Sequence, residues 1–334
     1  MIYKLSKRED LTEAESASCL KEMLENTATP AQVGAYLSLL AAKGETLPEI
    51  VGAVKVMREK MIRIDPGDRD PIDTCGTGGD HSGTFNISTA SAFVLTGGGL
   101  SVAKHGNRAA TSLCGSAEVL QALGVKVDIP QRIVEKCLRE TGLCFLFAPH
   151  HHPAMKHVAT QRREIGVRTL FNMIGPMSNP AGVKRQVIGV FDPGKARLMA
   201  QALVQAGSER VVTFSSRDGL DEVSCADETL VFEGAAGKDG IDETVMSPET
   251  YGFTRRPLKE LVGGDAVVNA KMIEDVLNGA PGAPREAVLM AASLGFYVAG
   301  KASSPKEGLG LAAESVDKGR AREALENLRR VSHS

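Results

Sequence analysis

The chain has 334 residues, of which 43% are hydrophobic and 24% charged, and its formal net charge is -2. This composition is typical of a globular protein of about two domains, and the near-zero charge gives no reason to expect nucleic acid or an anionic membrane as a partner. The opening residues are polar, and no apolar run approaches the roughly 20 residues of a membrane span. We therefore expect neither a signal peptide nor a membrane segment.

The six cysteines are spread along the chain without a CxxC pair. This usage favours small core residues over a disulfide framework, and it predicts a reducing, cytoplasmic environment. Trp is absent and aromatic residues make up 4% of the chain, which leaves few rings on which single-stranded nucleic acid could stack.

Helix signals fill the first part of the chain. Residues 12–15 have the form of a capping box, and Thr29-Pro30 and Leu47-Pro48 mark two further helix starts. Apolar residues follow each start at helical spacing. Residues 64–68 are rich in turn formers and predict a hinge. We predict a small α-helical domain over residues 1–66.

From residue 67 onward, short β-type runs alternate with helical runs, which predicts a mostly parallel sheet covered by helices. The candidate strands are residues 72–75, 101–104, 186–191 and 210–215. The candidate helices are residues 88–97, 116–123, 195–206, 269–278 and 285–298, with more helix within 309–330. The polar segment 228–250 predicts an antiparallel excursion or a loop.

The sequence DTCGTGGD at residues 73–80 runs from a predicted strand into a glycine-dense turn that leads to a helix. Glycines let backbone N–H groups approach an anion closely, and the helix adds its N-terminal dipole. Ser88 and Thr89 are placed to cap that helix and to donate hydroxyls to phosphate. The loop lacks the dinucleotide fingerprint because residue 81 is His81, and it lacks the P-loop lysine because Thr84 stands there. It predicts a phosphate loop of another type; the alternative is a tight turn without a ligand.

The sequence KHGNR at residues 104–108 follows the next predicted strand. Two cations, an imidazole and an amide would then lie at the carboxyl end of a strand, where open α/β sheets bind ligands. Lys104 could neutralise phosphate, and Arg108 could do the same or hold the loop. The alternative is a solvated charged loop.

Two further clusters carry candidate chemistry. Asp221 and Glu222 are adjacent carboxylates that need a counter-charge, which Mg²⁺ can supply together with substrate phosphates; the alternative is a polar turn. Four histidines occur within residues 150–157, but zinc is not favoured because consecutive side chains cannot all face one ion. Arg162 on the following predicted helix could clamp a carboxylate with two hydrogen bonds.

These motifs, with GSAEVLQALGV, FLFAPHHHPAMKHV, IGVRTLFNMIGPMSNPA and QVIGVFDP, resemble those of anthranilate phosphoribosyltransferases in order along nearly the whole chain. The resemblance implies transfer of a phosphoribosyl group from its diphosphate to anthranilate, the third step of tryptophan biosynthesis. It implies an α/β fold of the nucleoside phosphorylase/phosphoribosyltransferase type, with a large domain over residues 67–334. The small domain would also take in a segment near residues 162–182. A homodimer through the helical domain and two Mg²⁺ ions are further expectations.

The resemblance also assigns roles to residues. The phosphoribosyl diphosphate site would contain Gly76, Gly79, Asp80, Thr84, Asn86, Ile87, Ser88, Thr89, Lys104, His105, Gly106, Asn107, Arg108, Ala109, Ala110, Thr111, Ser112 and Ser116. The anthranilate site would contain Gly76, His105, Asn107 and Arg162, and the metal ligands would be Ser88, Asp221 and Glu222. The chain departs from the family at His81, Leu113 and Glu118, which puts the tightness of the phosphoribosyl site in question.

Two rival functions share this architecture. A pyrimidine nucleoside phosphorylase would use phosphate and a nucleoside, but the motifs on the acceptor side disfavour it. A non-catalytic homologue that binds nucleic acid should have lost the glycines and the acidic pair and gained a basic groove, whereas GTGGD, KHGNR and the acidic pair are intact.

Overall fold

A computed structural model describes residues 1–80, 82–109 and 113–334. The α-helices, in chain order, are α1 (Ile2–Ser6), α2 (Glu13–Leu24), α3 (Pro30–Lys43), α4 (Leu47–Lys60), α5 (Ile87–Gly97), α6 (Ser116–Ala122), α7 (Gln131–Thr141), α8 (Ala148–His151), α9 (Ala159–Ile165), α10 (Leu170–Ile174), α11 (Pro193–Gln205), α12 (Ala266–Leu277), α13 (Ala283–Val298), α14 (Pro305–Asp317) and α15 (Arg320–Ser332). The strands are β1 (Ile72–Gly76), β2 (Val102–Gly106), β3 (Leu143–Phe147), β4 (Arg185–Gly189), β5 (Arg210–Ser216), β6 (Thr229–Ala235) and β7 (Asp242–Met246). Short 3₁₀ helices cover Pro153–His157, Glu249–Tyr251 and Leu258–Leu261.

The strands form one sheet in the order β3-β2-β1-β4-β5-β6-β7. Strands β1 to β5 are parallel, and β6 and β7 add an antiparallel edge. This confirms the predicted mostly parallel sheet, and it resolves the polar segment 228–250 into an antiparallel pair of strands. The carboxyl ends of β1, β2, β4 and β5 therefore meet at one edge, where the candidate site residues follow them.

The first helices begin where the sequence predicts. The Thr12 side chain accepts a hydrogen bond from the Glu15 amide while the Glu15 carboxylate accepts one from the Thr12 amide, which closes a capping box. Thr29 and Gln32 do the same around Pro30 at the start of α3. Such caps satisfy N–H groups that have no partner within the helix.

The buried apolar side chains form two clusters. One lies between the sheet and helices such as α5 and α13. The other contains the side chains of α2, α3 and α4, residues 170–177, and one face of the sheet with α11. Residues 170–177 thus pack with the N-terminal helices, as a discontinuous small domain would require, and the exact division into domains stays a prediction. No helix in the described ranges is both long and apolar enough to cross a membrane.

Three local expectations differ from the structure. Strand β2 continues to Gly106, so Lys104 and His105 lie within the strand and not in a loop after it. Strand β3 and helix α7 were not predicted. Strand β3 is buried at every position, so it has no alternation of apolar and polar residues, and a short continuous apolar run does not separate strand from helix.

Candidate active site

Direct hydrogen bonds join three of the predicted site segments at the carboxyl edge of the sheet. The Gly78 amide donates to Asp221 Oδ2 at 2.5 Å, and the Ser88 amide donates to Glu222 Oε1 at 3.1 Å. Lys104 Nζ donates to Ser88 Oγ at 3.4 Å. The loop after β1, the start of α5, the end of β2 and the turn after β5 therefore form one site.

Within the glycine loop, residues 76–83, three of the described glycines have backbone conformations that side chains rarely adopt. Gly78 and Gly79 have φ angles of +68° and +79°. A Cβ at Gly76 would lie 2.7 Å from Asp221 Oδ2, so that position also excludes a side chain. Asp80 accepts hydrogen bonds from the Ser82 amide at 3.1 Å and the Ser82 hydroxyl at 2.6 Å. The loop therefore presents backbone and small polar groups, as an anion site requires.

The carboxylates of Asp221 and Glu222 are buried, and neither has a Lys or Arg ion-pair partner among the described residues. Burial, and then the charges of Glu222 and Asp80, raises the pKa of Asp221 well above its usual range. Burial likewise raises the pKa of Glu222 to about 7. A desolvated acidic pair that no Lys or Arg side chain contacts directly fits a divalent metal ion, which would remove the repulsion.

In the described part of the chain, no group of three or more His, Cys, Asp or Glu side chains could hold a metal ion by itself. Mg²⁺ commonly takes only one or two carboxylates and completes its octahedron with water and substrate phosphates. The pair Asp221 and Glu222, with the Ser88 hydroxyl nearby, fits that partial set of ligands. Two of the four histidines of residues 150–157 have other partners: His150 Nε2 lies 2.9 Å from Asp128 Oδ1, and His151 Nδ1 lies 3.0 Å from the Ile62 carbonyl oxygen.

Side chains replace part of the ladder between β1 and β2. In the described strands, β1 pairs with β2 only at Ile72↔Val102, whereas it pairs with β4 along its whole length. The buried Asp73 carboxylate accepts hydrogen bonds from the His105 amide at 3.0 Å and from Asn179 Nδ2 at 2.8 Å. Asn179 Nδ2 also donates to the Ala103 carbonyl at 2.8 Å.

Lys104 on β2 also connects the two strands, and we call this side-chain-bridged junction of β1 and β2 the seam. Its side chain is buried, and Nζ donates to the Thr74 carbonyl at 2.7 Å. Burial lowers the pKa of Lys104, and the Asp73 and Glu222 charges oppose that effect. Lys104 thus places its amino group between the glycine loop and the acidic pair, and its role of neutralising phosphate stays a prediction.

Two buried imidazoles lie beside this seam. The rings of His105 and His152 have centroids 5.1 Å apart, and the Nε2 atoms of both are buried without a hydrogen-bond partner in the described structure. Burial, and then the neighbouring histidines, lowers the pKa of His105 well below its usual range and that of His152 to about 4. Both rings are neutral at pH 7 and can face an aromatic ligand.

Hydrogen bonds from residues of α6 hold the turn after β2. The Asn107 carbonyl accepts hydrogen bonds from the Ser116 hydroxyl at 3.3 Å and the Ala117 amide at 3.2 Å. Arg108 reaches Gln121 Oε1 at 3.2 Å and lies over the Phe147 ring, so here it holds the loop.

The departure Glu118 also acts in this turn. Its carboxylate accepts from the Ala109 amide at 3.2 Å and the Gly115 amide at 3.1 Å, so it caps α6 and fixes the turn. The departure Leu113 is 80% exposed, so it does not fill the site. Ala110, Thr111 and Ser112, and the departure His81, lie outside the described residues.

The start of α5 differs from the expectation that Ser88 and Thr89 cap it. The N-cap residue is Asn86, whose Oδ1 accepts a hydrogen bond from Asn269 on α12 at 3.0 Å. Ile87 is buried at the first helical position, and the Thr89 hydroxyl is buried without a partner in the described structure. The glycine loop occupies the residues before Asn86, which moves the helix start forward and leaves Ser88 in the first turn. Thr84 lies between the glycine loop and α5, with its hydroxyl 3.2 Å from that of Ser82.

Arg162 lies on α9, the fourth predicted segment, with its guanidinium 5.0 Å from the centroid of the Phe171 ring. Among the described residues it has no carboxylate partner, and no ion pair with the nearby Glu164 is observed. Burial lowers the pKa of Arg162, which nevertheless stays charged at neutral pH. Among the described residues, no hydrogen bond or ion pair joins Arg162 to the other three segments.

The sequence did not single out Asp73, Asn179, His152 or Arg168, although each lies within a motif that it did quote. Asp73 and Asn179 meet across 106 positions, so no local pattern could pair them. The signal was a buried carboxylate inside a predicted strand, where an apolar residue is the rule.

Comparison with known proteins identifies the family. The helical bundle domain of the glycosyl transferase family matches residues 1–61, and the a/b domain of that family matches residues 68–322. The anthranilate phosphoribosyltransferase of Symbiobacterium thermophilum is 45% identical over 334 residues, which is 100% of this chain and 97% of the relative. This chain belongs to the anthranilate phosphoribosyltransferase family. The family member of Rubrobacter xylanophilus is 46% identical over 335 residues, covering 99% and 96% of the two chains.

Solved structures of anthranilate phosphoribosyltransferases have the same fold. The enzyme of Thermus thermophilus has a TM-score of 0.92 at 39% identity, with 100% of this chain and 99% of that chain covered. The Saccharomyces cerevisiae enzyme in complex with phosphoribosyl diphosphate and Mg has a TM-score of 0.89 at 26% identity, with coverage of 99% and 96%. The same yeast enzyme in complex with 4-fluoroanthranilate has a TM-score of 0.88 at 25% identity, with the same coverage.

Proposed function

We propose that this enzyme transfers the phosphoribosyl group of 5-phosphoribosyl 1-diphosphate to the amino group of anthranilate. The products are N-(5-phosphoribosyl)anthranilate and pyrophosphate, and the reaction belongs to tryptophan biosynthesis. The observation that carries this proposal is the hydrogen-bonded junction of the glycine loop, the acidic pair and Lys104. The yeast relative, which binds phosphoribosyl diphosphate with Mg and 4-fluoroanthranilate, supports the choice of substrates.

The chemistry follows from the charges. The bond between ribose C1 and the diphosphate oxygen breaks with its electron pair going to that oxygen, and the amine nitrogen of anthranilate bonds to C1 and releases a proton to solvent. The aniline nitrogen is already neutral at pH 7, so no strong general base is needed. Lys104 and the loop amides oppose the negative charge that develops on the leaving group.

The donor would occupy the junction of the three joined segments. Residues 76–89 would provide backbone amides and hydroxyls to the diphosphate, and residues 104–112 with Ser116 would complete the phosphoribosyl site. Support comes from the positive φ angles of the loop and from the unpartnered, buried Thr89 hydroxyl. Arg108, which holds the turn, would act through that turn.

The acceptor would lie against Gly76, His105 and Asn107, with Arg162 on its carboxylate. Neutral, buried imidazoles at His105 and His152 suit a flat aromatic ring. A charged guanidinium without a carboxylate partner suits the acid group of anthranilate. Much of the rate would then come from holding the amine close to C1, since orientation can supply about 7 kcal/mol or more.

Two Mg²⁺ ions would bind at Ser88, Asp221 and Glu222. When bound, Mg²⁺ neutralises the diphosphate as charge develops on it. The buried, unpaired acidic residues of the chain support this assignment. Gly78 and Ser88 orient the two carboxylates through their amides, so the ligands are set in place by the loop and by α5.

We also propose that two copies associate through the helical bundle and that the enzyme works in the cytoplasm without nucleic acid or membrane partners. Tyr3 on α1 is 75% exposed, which leaves an apolar ring on the bundle surface. Cys75, Cys137 and Cys144 are free buried thiols, as a reducing compartment allows. Light scattering of the purified chain measures the oligomeric state directly.

The test of the main proposal is the loss of anthranilate fluorescence in the presence of phosphoribosyl diphosphate and Mg²⁺. We expect turnover only with both, and release of one pyrophosphate per anthranilate consumed. Phosphate-dependent cleavage of a pyrimidine nucleoside without anthranilate consumption would instead support the phosphorylase. Binding of nucleic acid without either activity would support the non-catalytic alternative.

A further inference from the structure

Arginines stacked on aromatic rings fall into two groups in the described structure. Three of them also have a carboxylate within 4 Å, namely Arg108 with Glu118, Arg197 with Glu243 and Arg210 with Glu233. Arg162 and Arg168 have a ring but no carboxylate among the described residues. Arg162 is already assigned to the acceptor, so Arg168 is a guanidinium without an assigned anion.

Arg168 lies near the point where the order of the strands in the sheet reverses, between β1 and β4. The glycine loop follows β1 and Phe191 follows β4, and these neighbouring parallel strands send their connections to opposite sides of the sheet. Ligands of open α/β sheets bind in the crevice at such a point. The Arg168 guanidinium carbon is 3.5 Å from the centroid of the Phe191 ring.

The same guanidinium faces the glycine loop. A Cβ at Gly79 would have Arg168 Nε at 3.2 Å as its nearest neighbour and Arg168 Nη2 at 3.5 Å. The charge therefore lies directly against the backbone that would hold the diphosphate. The glycine loop also contacts acidic side chains, because the Gly78 amide donates to Asp221, and Asp80, Asp221 and Glu222 have no Lys or Arg ion pair in the described structure. A polyanion that enters this site needs cations on its open side as well.

Building on the proposed function, we propose that Arg168 is a donor-binding residue whose guanidinium contacts the diphosphate group of phosphoribosyl diphosphate. Stacking on Phe191 holds the planar fork in place and leaves its N–H groups free to donate, and a guanidinium binds phosphate oxygens with two parallel hydrogen bonds. Helix α9 and the segment that follows it then supply the two unpaired arginines, Arg162 for the acceptor and Arg168 for the leaving group.

The experiment compares Arg168→Ala, Arg168→Lys and Arg168→Gln with the unaltered enzyme. The readouts are KM for each substrate and the Kd of inorganic pyrophosphate with Mg²⁺, measured by calorimetry. Loss of a charged hydrogen bond predicts that Arg168→Ala raises the KM for phosphoribosyl diphosphate and the Kd of pyrophosphate about 10- to 100-fold. The KM for anthranilate and the binding of ribose 5-phosphate should stay within about twofold, and lysine should recover part of the loss.

The matched control is Arg197→Ala. That residue also stacks on a phenylalanine, Phe232, but it is paired with Glu243. It should leave both donor readouts unchanged. If Arg168→Ala fails to fold by circular dichroism, Arg168→Gln decides, because it keeps a planar group near the ring without the charge.

Unchanged pyrophosphate binding in the folded variants would overturn the proposal, as would an equal rise of both KM values or a loss confined to ribose 5-phosphate. Pyrophosphate binding needs no turnover. An enzyme that did not consume anthranilate would therefore refute the proposed function, while calorimetry would still decide the role of Arg168.

Discussion

At the scale of single residues, Gly79 combines a left-handed backbone conformation with a close neighbouring side chain. Its φ of +79° strains any side chain, and a Cβ would press on Arg168 Nε at 3.2 Å. We predict that Gly79→Ala raises the KM for phosphoribosyl diphosphate about tenfold or more, because the contact with Arg168 adds to a left-handed strain of about 1–2 kcal/mol. The KM for anthranilate should change far less, and steady-state kinetics with each substrate varied in turn measures both.

Gly83→Ala is the matched control for this prediction. Gly83 has a similar φ of +68°, but a Cβ there has no neighbour within 4 Å. The Gly83→Ala variant has the backbone strain without the contact with Arg168, so the KM for phosphoribosyl diphosphate should rise less than in Gly79→Ala. Equal increases in both KM values for Gly79→Ala, with a loss of thermal stability, would indicate general misfolding of the loop.

The acidic pair allows a prediction in which activity and stability change in opposite directions. In Asp221→Asn with Glu222→Gln, both buried charges disappear while amide oxygens remain to accept from Gly78 and Ser88. We expect Mg²⁺-dependent turnover to fall below detection, because the ligands are lost. Thermal unfolding in EDTA should occur at an equal or higher temperature, because desolvated like charges no longer repel.

Asp218→Asn is the control for the acidic pair. Asp218 lies in the same turn and accepts a hydrogen bond from the Ser224 hydroxyl at 2.5 Å. It should retain the Mg²⁺ dependence of the unaltered enzyme. Full activity of the double variant at ordinary Mg²⁺ concentration would remove Asp221 and Glu222 from the metal site.

Features of single residues were predictable where the functional groups are close together in the sequence. The dense glycines of residues 76–83 and the two adjacent acids are visible in the sequence, and the structure brings both together. Arg168 was not predicted, because its meaning depends on Phe191 and Gly79, which are remote along the chain. Asn86 took the N-cap position for a similar reason, since its side chain is held by Asn269 on α12.

At the scale of elements, the seam between β1 and β2 decides how the site is held. Asn179 donates to Asp73 and to the Ala103 carbonyl, and its Oδ1 accepts from the Ala181 amide at 2.8 Å. We predict that Asn179→Ala lowers the free energy of unfolding by about 3 kcal/mol, because it leaves a buried carboxylate and a buried carbonyl short of donors. Urea denaturation followed by circular dichroism measures the change.

The seam also connects stability to the acceptor site, because Asp73 holds the His105 amide. The folded fraction of Asn179→Ala should therefore show a raised KM for anthranilate. Asn327→Ala on the exposed face of α15 is the control, with an expected change below about 0.5 kcal/mol. A seam variant as stable as the control would show that β1 and β2 hold together without Asn179.

Helices and strands were predicted correctly where the sequence has a capping box or a regular spacing of apolar residues. They were missed where complete burial leaves no such spacing. Helices α2 and α3 have capping boxes, and their starts were placed correctly. Strand β3 is buried on both faces, so its apolar run could have been helix or strand. The extension of β2 to Gly106 depends on pairing with β3, which the sequence did not reveal.

At the scale of the whole molecule, the helical bundle is joined to the α/β part by more than a linker. One hydrophobic cluster includes both the N-terminal helices and the face of the sheet that carries α11. Lys195 at the start of α11 pairs with the buried Glu45 at 2.8 Å. Because the bundle and the sheet share a core, we expect them to unfold in one transition.

Arg58 is the residue that tests this coupling. Its side chain extends from α4 towards α11. Its Nε donates to the Met177 carbonyl at 2.9 Å, and its Nη1 donates to the Ala206 carbonyl at the end of α11 at 2.7 Å. Burial lowers the pKa of Arg58 to about 10, so it is charged at neutral pH and also complements the C-terminal dipole of α11. Its removal would leave two carbonyls without a donor.

We predict that Arg58→Ala lowers the free energy of unfolding by about 2–4 kcal/mol, since hydrogen bonds to charged groups contribute about 1.5–3 kcal/mol each. The neighbouring Arg63→Ala should change it little, because Arg63 is exposed and its one side-chain hydrogen bond within the described structure is to the Arg58 carbonyl, at 3.4 Å. Circular dichroism and calorimetry should both report one transition, displaced to lower temperature in Arg58→Ala. Two transitions, with the later one at the original temperature, would show instead that the bundle melts alone and that the shared cluster does not couple it to the sheet.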